Sequence, residues 1–475
     1  MKSKIYISAF VLFFVSTFLY AQNSSAQVAD NINELLKDDY FKSTQISVDV
    51  FDLTENKPIF KKNEKLLLKP ASNMKILTTS SALYFLGPEY KFKTTIWING
   101  EIEDSVLLGD LYFQGGFDPD LKYENLEYLI SEIKQNGIKQ IAGNVCIDKS
   151  NLDSLFWGEG WMWDDEPSTD FPYLTSLVFD DNAVSIISKP GQSIGKPAII
   201  EFLRPSNFDL INNSETVSNG RSRLQITRDW INRDNTIIVS GKINSTANPD
   251  TASISVFNPH DYFLFLINEL MQKSKIAVEG DFLLQDKPET SKLLISLERP
   301  FSEVIVNLNK TSDNLSAEMT LRVLGFDSLK QKTSARQGLK FIDSLITIIG
   351  FDPNKYRLVD GSGISHYNLI TTELINEVLK YFYKEKNDLY KILYESFPIA
   401  GIDGTLKNRM KNTPAEMDVH AKTGTLSGVS SLSGYLTSKS GHIISFSIFE
   451  QNYVRSSSKA REMQDNICNI LIEGI

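Results

Sequence analysis

The feature that most constrains the fold is a change of periodicity inside the chain. Helical patterns dominate on either side, whereas residues 91–293 form many short alternating segments that are typical of β-strands. Strand candidates in this middle region are 93–97, 105–113, 253–257 and 277–284. We therefore predict an α/β domain whose sequence is split by a long β-rich insertion.

The flanking segments supply the elements of the α/β domain. Residues 46–51 alternate as a strand, and Pro70-Ala71-Ser72 opens a helical run that Gly87-Pro88 ends. After the insertion, helices are predicted at 301–308, 316–324, 335–349 and 371–383. Two strands at 430–436 and 442–449 then precede a closing helix at about 458–471.

The N-terminus indicates export. Lys2 and Lys4 precede an apolar run at 5–20 that ends at the small residue Ala21, a pattern typical of a signal peptide. A membrane anchor is the alternative, but a spanning helix needs about 20 apolar residues, and polar residues follow here. No cysteine follows that could carry a lipid. We predict cleavage after residues 1–21 and a soluble periplasmic protein.

Composition excludes several functions. Removing residues 1–21 takes away two lysines and no acid, so the formal charge of -10 becomes -10 - 2 = -12, which argues against nucleic acid as a partner. With 41% hydrophobic residues over 475 positions, the chain can build roughly two or three domains. The two cysteines, Cys146 and Cys468, and the four histidines match no metal spacing, so no metal and no cofactor is predicted. A disulfide is allowed, but two buried free thiols are the simpler interpretation.

The first candidate for chemistry is Ser72-Asn73-Met74-Lys75 at the head of an apolar helix. A three-residue offset places the hydroxyl of Ser72 and the amine of Lys75 on one face, as a nucleophile beside a base. The lysine must be neutral to act as a base, which requires burial or a nearby cation. The same spacing recurs at 131/134, 193/196 and 456/459 in polar stretches, and an N-cap role for Ser72 is the structural alternative.

Two further motifs complete the candidate site. In Ser312-Asp313-Asn314, Ser312 can relay a proton and Asn314 can hold a substrate carbonyl, although such triplets are usually helix caps. Lys422-Thr423-Gly424-Thr425 is predicted to be a strand on which Lys422 and Gly424 share one face. Lys422 and Thr423 can bind a carboxylate, and the N–H groups of Thr425 and Ser72 can form an oxyanion hole. An edge strand with a solvated lysine is the alternative.

The order S-x-x-K, S-x-N, K-T-G is shared by penicillin-binding proteins and serine β-lactamases. The chain resembles the class C low-molecular-mass penicillin-binding proteins, the D-alanyl-D-alanine carboxypeptidase/endopeptidase family, over almost all of its mature length. Further blocks that carry the resemblance are Asp360-Gly361-Ser362-Gly363-Ile364-Ser365, residues 398–406 with Arg409, and residues 420–428. Gly115-Gly116-Phe117-Asp118-Pro119 departs from the family's G-G-G-D-P turn, because Phe117 replaces a glycine.

The resemblance implies a serine β-lactamase/transpeptidase-like domain, an antiparallel sheet flanked by helices, with two inserted β-rich domains. Ser312 lies 312 - 72 = 240 residues after Ser72, and Lys422 lies 422 - 312 = 110 residues further on, which leaves room for the insertion. We place the signal peptide at 1–21, the catalytic domain at 22–90 and 290–475, and the inserted region at 91–289.

The resemblance also implies the reaction and the partners. Ser72 would be acylated by peptidoglycan stem peptides or cross-links, with Lys75 and Ser312 as the other catalytic residues and Asn314, Lys422, Thr423, Gly424 and Thr425 binding substrate. β-Lactams would act as covalent inhibitors, and loose association with the wall or membrane surface is compatible with export. Two rival functions are a β-lactam hydrolase and a non-catalytic wall-binding protein. The cluster Trp157, Trp161, Trp163, Asp164 and Asp165 either receives a stem-peptide side chain or fills a small core.

Overall fold

The computed structural model describes residues 26–329 and 332–475. They form two compact units: the first comprises the chain up to Pro88, Ile305–Asp313 and Leu339–Ile475, and the second comprises Glu89–Val304 and Asn314–Gly338. The signal peptide predicted at 1–21 lies outside the described residues, and the domain limits inferred from the sequence stay a prediction. Within the described part of the chain, no helix has the length and apolar character needed to cross a bilayer.

Helices and strands are numbered in chain order. The helices are α1 (26–35), α2 (Met74–Phe85), α3 (Tyr123–Gln135), α4 (Pro259–Lys273), α5 (Phe301–Lys310), α6 (Asn314–Leu329), α7 (Ala335–Ile348), α8 (Thr372–Glu385), α9 (Asn387–Ser396) and α10 (Ser458–Gly474). The strands are β1 (Gln45–Asp52), β2 (Lys57–Lys62), β3 (Lys91–Glu103), β4 (Val106–Gly116), β5 (Gln140–Ile141), β6 (Val145–Asp148), β7 (Ala183–Lys189), β8 (Ile199–Phe202), β9 (Leu210–Val217), β10 (Arg223–Arg228), β11 (Ile237–Asn244), β12 (Asp250–Ser255), β13 (Ala277–Val278), β14 (Phe282–Leu284), β15 (Lys292–Pro300), β16 (Val419–Leu426), β17 (Val429–Thr437) and β18 (Ile443–Gln451).

The first unit is built on a five-stranded antiparallel sheet with the strand order β16-β17-β18-β1-β2. Neighbouring residues of β17 mark its two faces, because side chains alternate along a strand. Ser431 donates to the carbonyl of Pro70, just before α2, whereas Ser430 accepts from Gln464 of α10. The sheet therefore lies between α2 on one face and α10 on the other, as the predicted fold class requires.

The second unit has three sheets around one apolar core. A seven-stranded sheet has the order β13-β5-β4-β3-β15, with β6 paired to β4 and β14 to β6. The two smaller sheets have the orders β10-β11-β9 and β12-β7-β8. The prediction of a β-rich middle region is confirmed, but it omitted α3 and α4, whose apolar faces fill the core. The strand predicted at 277–284 is two short strands, β13 and β14, on either side of Gly280.

The turn that departs from the family pattern is a buried corner of the second unit. Phe117 adopts a positive φ of 67° and is fully buried, with its ring centroid 5.5 Å from that of Phe326. A left-handed conformation costs a non-glycine residue about 1–2 kcal/mol, which burial of the ring offsets. Next to it, Asp118 accepts a hydrogen bond from Nε of Arg299 at 2.9 Å. Phe117 therefore contributes a core side chain where the family places a glycine.

Candidate active site

Ser72 and Lys75 lie together where the chain enters α2. A single 3₁₀ turn, Ala71–Asn73, precedes the helix, and Nζ of Lys75 donates to Oγ of Ser72 at 2.9 Å. Lys75 is fully buried, whereas Ser72 is 9% exposed. Ala71 has a φ of 47°, a strained conformation of the kind that clusters at functional sites. The pairing predicted from the three-residue spacing is present in the structure.

A backbone carbonyl gives Lys75 a second partner that sequence reasoning did not identify. Nζ of Lys75 donates to the carbonyl of Ser362 at 2.8 Å. The loop that carries this carbonyl is fastened by the buried carboxylate of Asp360. Asp360 accepts from the N–H groups of Gly363 and Ser365 at 2.8 and 2.7 Å, and from the side-chain amide of Asn368 at 2.7 Å. The D-G-S-G block thus fixes the position of the amine of Lys75.

A second serine and lysine pair is formed by Ser312 and Lys422. Nζ of Lys422, on β16, donates to Oγ of Ser312 at 2.7 Å and to the carbonyl of Thr423 at 3.0 Å. Ser312 has a φ of 66°, and Lys422 is completely buried. Burial, together with the nearby charge of Lys75, holds the pKa of Lys422 well below its ordinary value. The surroundings of Lys422 therefore disfavour a proton on its amine.

The strand β16 lies directly against the start of α2. A Cβ atom added to Gly424 would be only 2.8 Å from the backbone nitrogen of Ser72, so any other residue here would force a neighbouring group to move. The side-chain amide of Asn73 donates to the carbonyl of Lys422 at 2.9 Å. Thr425 follows, exposed, and Thr423 donates to the hydroxyl of Thr405 at 2.7 Å. The strand predicted for this motif is confirmed, and it borders the N–H of Ser72.

Asn314 is the one predicted site residue outside the first unit. It is the first residue of α6, which belongs to the second unit, and its side-chain amide donates to the carbonyl of Asp170 at 2.7 Å. Ser72, Lys75, Ser312, Lys422, Thr423, Gly424 and Thr425 all belong to the first unit. The role of Asn314 as a substrate ligand therefore stays a prediction.

The tryptophan cluster and the two cysteines singled out in the sequence all lie among the described residues. Trp157 and Trp161 pack edge to face with ring centroids 5.3 Å apart, whereas Trp163 is 73% exposed. Cys146 and Cys468 are buried free thiols, as the simpler interpretation predicted. Burial raises the pKa of the Cys146 thiol to about 12, so it is a poor nucleophile.

This arrangement defines a class of protein. A serine hydroxyl bonded to a buried lysine amine is an activated nucleophile. A second serine and lysine pair and backbone N–H groups at a helix start are the kinds of groups that can transfer a proton and stabilise an anion. The fold, with a serine hydroxyl bonded to a buried lysine, is that of a serine hydrolase.

Comparison with known proteins identifies the family. The model of the D-Ala-D-Ala carboxypeptidase 3 (S13) family matches residues 28–473. The chain is 29% identical to D-alanyl-D-alanine carboxypeptidase DacB of Haemophilus influenzae over 85% of this chain and 84% of the relative. It is 28% identical to the D-alanyl-D-alanine carboxypeptidase of Actinomadura sp. (strain R39) over 94% of this chain and 85% of the relative.

Solved structures agree with this result. The crystal structure of penicillin binding protein 4 (dacB) from Haemophilus influenzae superimposes with a TM-score of 0.82 at 27% identity, covering 93% of this chain and 99% of that chain. The same protein complexed with a β-lactam gives a TM-score of 0.77 at 26% identity and the same coverage. The chain belongs to the D-Ala-D-Ala carboxypeptidase 3 (S13) family, and it is a serine-type carboxypeptidase, a hydrolase. The resemblance and the fold class inferred from the sequence are confirmed.

Proposed function

We propose that this protein is an exported serine D,D-carboxypeptidase and D,D-endopeptidase that trims peptidoglycan stem peptides through an acyl-enzyme on Ser72 and is inhibited by β-lactams. The observation that carries the proposal is the 2.9 Å hydrogen bond between the buried amine of Lys75 and the hydroxyl of Ser72. The match to the family over residues 28–473 supports the choice of substrate.

Lys75 acts as the general base. It takes the proton of Ser72 while Oγ attacks the carbonyl carbon of the penultimate D-alanine, forming a tetrahedral intermediate. The N–H groups of Ser72 and Thr425 face the developing oxyanion, and Gly424 permits that approach. The carbonyl of Ser362, 2.8 Å from Nζ, keeps the amine directed at Ser72 through the reaction.

Lys422 couples substrate binding to the activation of Lys75. A protonated lysine has three N–H donors, and two already serve Ser312 and the Thr423 carbonyl. The third binds the terminal carboxylate of the peptide, assisted by the hydroxyl of Thr423. The bound carboxylate favours the protonated form of Lys422, and that charge opposes a second proton on the nearby Lys75. The correct substrate thereby holds Lys75 in its basic form.

Ser312 completes the cycle as a proton relay. It passes its own proton to the amine of the departing residue as the C–N bond breaks, and it receives in turn the proton that Lys75 took from Ser72. Lys75 is then neutral again, and the acyl group remains on Ser72. Asn314 holds the amide carbonyl of the peptide, and water then cleaves the ester. If the departing residue is free D-alanine, the reaction is a carboxypeptidase reaction; if it belongs to a cross-link, it is an endopeptidase reaction. The site serves both because the bond and the D-centre are the same.

The cellular setting of this proposal follows from the N-terminal pattern. Residues 1–21 direct export to the periplasm, where the mature chain meets its substrate and associates loosely with the wall or membrane surface. N-terminal sequencing of protein recovered from the periplasm tests this part. A mature chain that starts soon after Ala21 supports export, whereas an intact Met1 contradicts it.

The activity is tested by digestion of purified muropeptides. The mature protein is incubated with a pentapeptide monomer and with a cross-linked dimer, and the products are identified by mass spectrometry. We expect loss of one D-alanine from the monomer, cleavage of the dimer, or both. Ser72→Ala provides the matched control and is expected to leave both substrates intact. Folded wild-type protein that leaves both unchanged would refute the proposed function.

A further inference from the structure

The second unit contains a cavity that no step of the proposed reaction uses. It has a volume of about 440 Å³ and is lined only by residues of that unit. Its apolar walls are formed by Leu152, Phe156, Tyr173, Phe257 and Pro259. Cavities that hold small organic ligands range over roughly 300–1,000 Å³ and have mainly apolar walls with a few polar groups. The cavity is large enough for a ligand of about 15 non-hydrogen atoms, at about 30 Å³ for each water-sized group.

Charge around the cavity has a positive excess. Lys149, Arg233 and Lys332 line it, against the two carboxylates of Asp153 and Asp286, a balance of 3 - 2 = +1. In the described ranges 26–329 and 332–475, none of these three cations forms an ion pair. All three are exposed and therefore accessible to an incoming anion. One carboxylate would balance the charge.

The start of α4 strengthens this preference. Asn258 and Pro259 at the beginning of the 15-residue helix line the cavity, and the positive end of the helix dipole favours an anion there. The side chain of Asn258 donates to Asp261 and does not cap the helix.

A buried polar atom without a partner marks the same place. Nε2 of His260, the second residue of α4, is buried and has no hydrogen-bond partner among the described residues. A buried polar atom of this kind destabilises the fold unless a hydrogen-bond partner reaches it. Burial and the nearby Lys149 lower the pKa of His260 to about 4, so the ring is neutral at neutral pH. Depending on its tautomer, Nε2 of a neutral ring can donate one hydrogen bond to a ligand oxygen or accept one from a ligand amide.

We propose that this cavity binds a small organic monocarboxylate, with the carboxylate beside Lys149, Lys332 and the start of α4. The apolar body of the ligand packs against the walls formed by Leu152, Tyr173 and Phe257, and a polar atom of the ligand meets Nε2 of His260. The inference does not rest on the proposed peptidase function, because no residue of the candidate active site lines the cavity.

The test uses a matched pair of probes, N-acetyl-L-phenylalanine and its neutral amide. They have the size estimated for the cavity and differ in the carboxylate. Binding to the mature full-length chain is measured by isothermal titration calorimetry. We expect one site for the acid, at least tenfold weaker binding of the amide, and weaker binding of the acid as salt rises. No saturable binding of the acid at about 10 mM, which corresponds to an affinity too weak to be specific, would overturn the proposal.

Variants locate the site. The double variant Lys149→Gln/Lys332→Gln is expected to bind the acid at least tenfold more weakly. The fold should not change, because both side chains are exposed. Lys196→Gln, at an exposed lysine that does not line the cavity, is the matched control and should leave binding unchanged. His260→Leu keeps an apolar wall, removes Nε2 and should weaken binding about threefold to tenfold. Equal binding by wild type and the double variant would refute the site.

Discussion

Two buried basic side chains, one in each unit, have opposite kinds of partner: one is paired with a carboxylate and the other is bonded to neutral oxygens. Arg228 in the second unit is 1% exposed and is bonded to the carboxylate of Glu166 and, at 2.8 Å, to the carbonyl of Ser255. Lys422 in the first unit is completely buried as well, but its partners are a hydroxyl and a carbonyl. In the described part of the chain, no carboxylate pairs with Lys422.

The difference separates a structural cation from a reactive one. A buried charge that meets an opposite charge is stable only as long as the pair is intact. A buried lysine held by neutral oxygens has a lowered pKa, so a small change nearby moves a proton. In the first unit, burial of Lys422 lowers stability but leaves its amine ready to gain or lose a proton. In the second unit, the guanidinium of Arg228 packs against the rings of Tyr173 and Phe257 and stabilises their positions.

The largest effect is expected from Lys422→Met. This change removes the charge and the N–H donors while preserving side-chain length, and we expect acylation by penicillin to slow by about 10³-fold. The melting temperature should not fall, because the cost of burying the amine is also removed. Stopped-flow acylation and thermal unfolding measure the two outcomes, with the exposed Lys439→Met as control. Acylation within threefold of wild type would contradict the role of Lys422.

Arg228→Met should have the opposite profile. It leaves the carboxylate of Glu166, which is only 13% exposed, without its cationic partner and should lower the free energy of unfolding by about 3 kcal/mol. All five tryptophans lie in the second unit, so their fluorescence during urea unfolding reports on this region. Arg223→Met, at an exposed arginine of the same strand, should change stability by less than about 0.5 kcal/mol. Similar losses in both variants would show that the ion pair is not structural.

Gly424→Ala tests the close approach between β16 and Ser72. The added Cβ would lie 2.2 Å from Oγ of Ser431 and 2.8 Å from the nitrogen of Ser72, so one of them must move. We expect acylation to slow by about 10²-fold, because misplacement of about 1 Å has that effect. The control is Ser427→Ala at the exposed turn after β16, which should acylate normally. An unchanged acylation rate in Gly424→Ala would contradict an oxyanion hole formed by the N–H groups of Ser72 and Thr425.

Asp360→Asn probes the loop that fixes Lys75. The amide cannot accept all three hydrogen bonds that the carboxylate accepts, so the Ser362 carbonyl should shift from Nζ of Lys75. We expect an acylation rate about tenfold lower, with an altered dependence of that rate on pH, while the affinity for penicillin is kept. A loss of affinity with an unchanged rate and pH profile would assign Asp360 a merely structural role.

The smallest effect concerns stability against pH. Because the folded-state pKa of Lys422 is lowered from 10.5, the unfolded chain binds the proton more readily below that value. Wild-type stability should therefore rise with pH towards 10.5, relative to Lys422→Met, by up to about 1.4 kcal/mol per pH unit within the window between the two pKa values. Melting temperatures of both proteins from pH 7 to 10 test this sign. A gap that widens as pH rises, with wild type becoming the less stable protein, would contradict it.

Local patterns predicted the elements of the site but not all of their contacts. The apolar run after Ser72 and the strand around Lys422 were visible in the sequence because each is set by short-range periodicity. The contact between Lys75 and the carbonyl of Ser362 joins residues 287 positions apart and uses a backbone atom, which every residue type has. Neither residue type nor motif spacing can therefore predict this contact.

The helices of the second unit are harder to predict from the sequence than the elements of the site, for a different reason. Helix α4 begins at Asn258-Pro259 and has buried residues at Phe263, Ile267 and Leu270, a helical spacing that the surrounding strand patterns masked. Helix α3 has the same kind of weak local signal among strand patterns. Both helices pack into the core of the second unit, and this tertiary packing stabilises helices that their local sequence signals predict only weakly.

The most direct test of the account is intact-mass analysis of the mature protein after incubation with penicillin G, beside Ser72→Ala. We expect wild type to gain the mass of one penicillin, with peptide mapping that places it on Ser72, and Ser72→Ala to gain nothing. An adduct that persists in Ser72→Ala, or rapid release of hydrolysed penicillin from wild type, would contradict an acyl-enzyme peptidase built on Ser72 and Lys75.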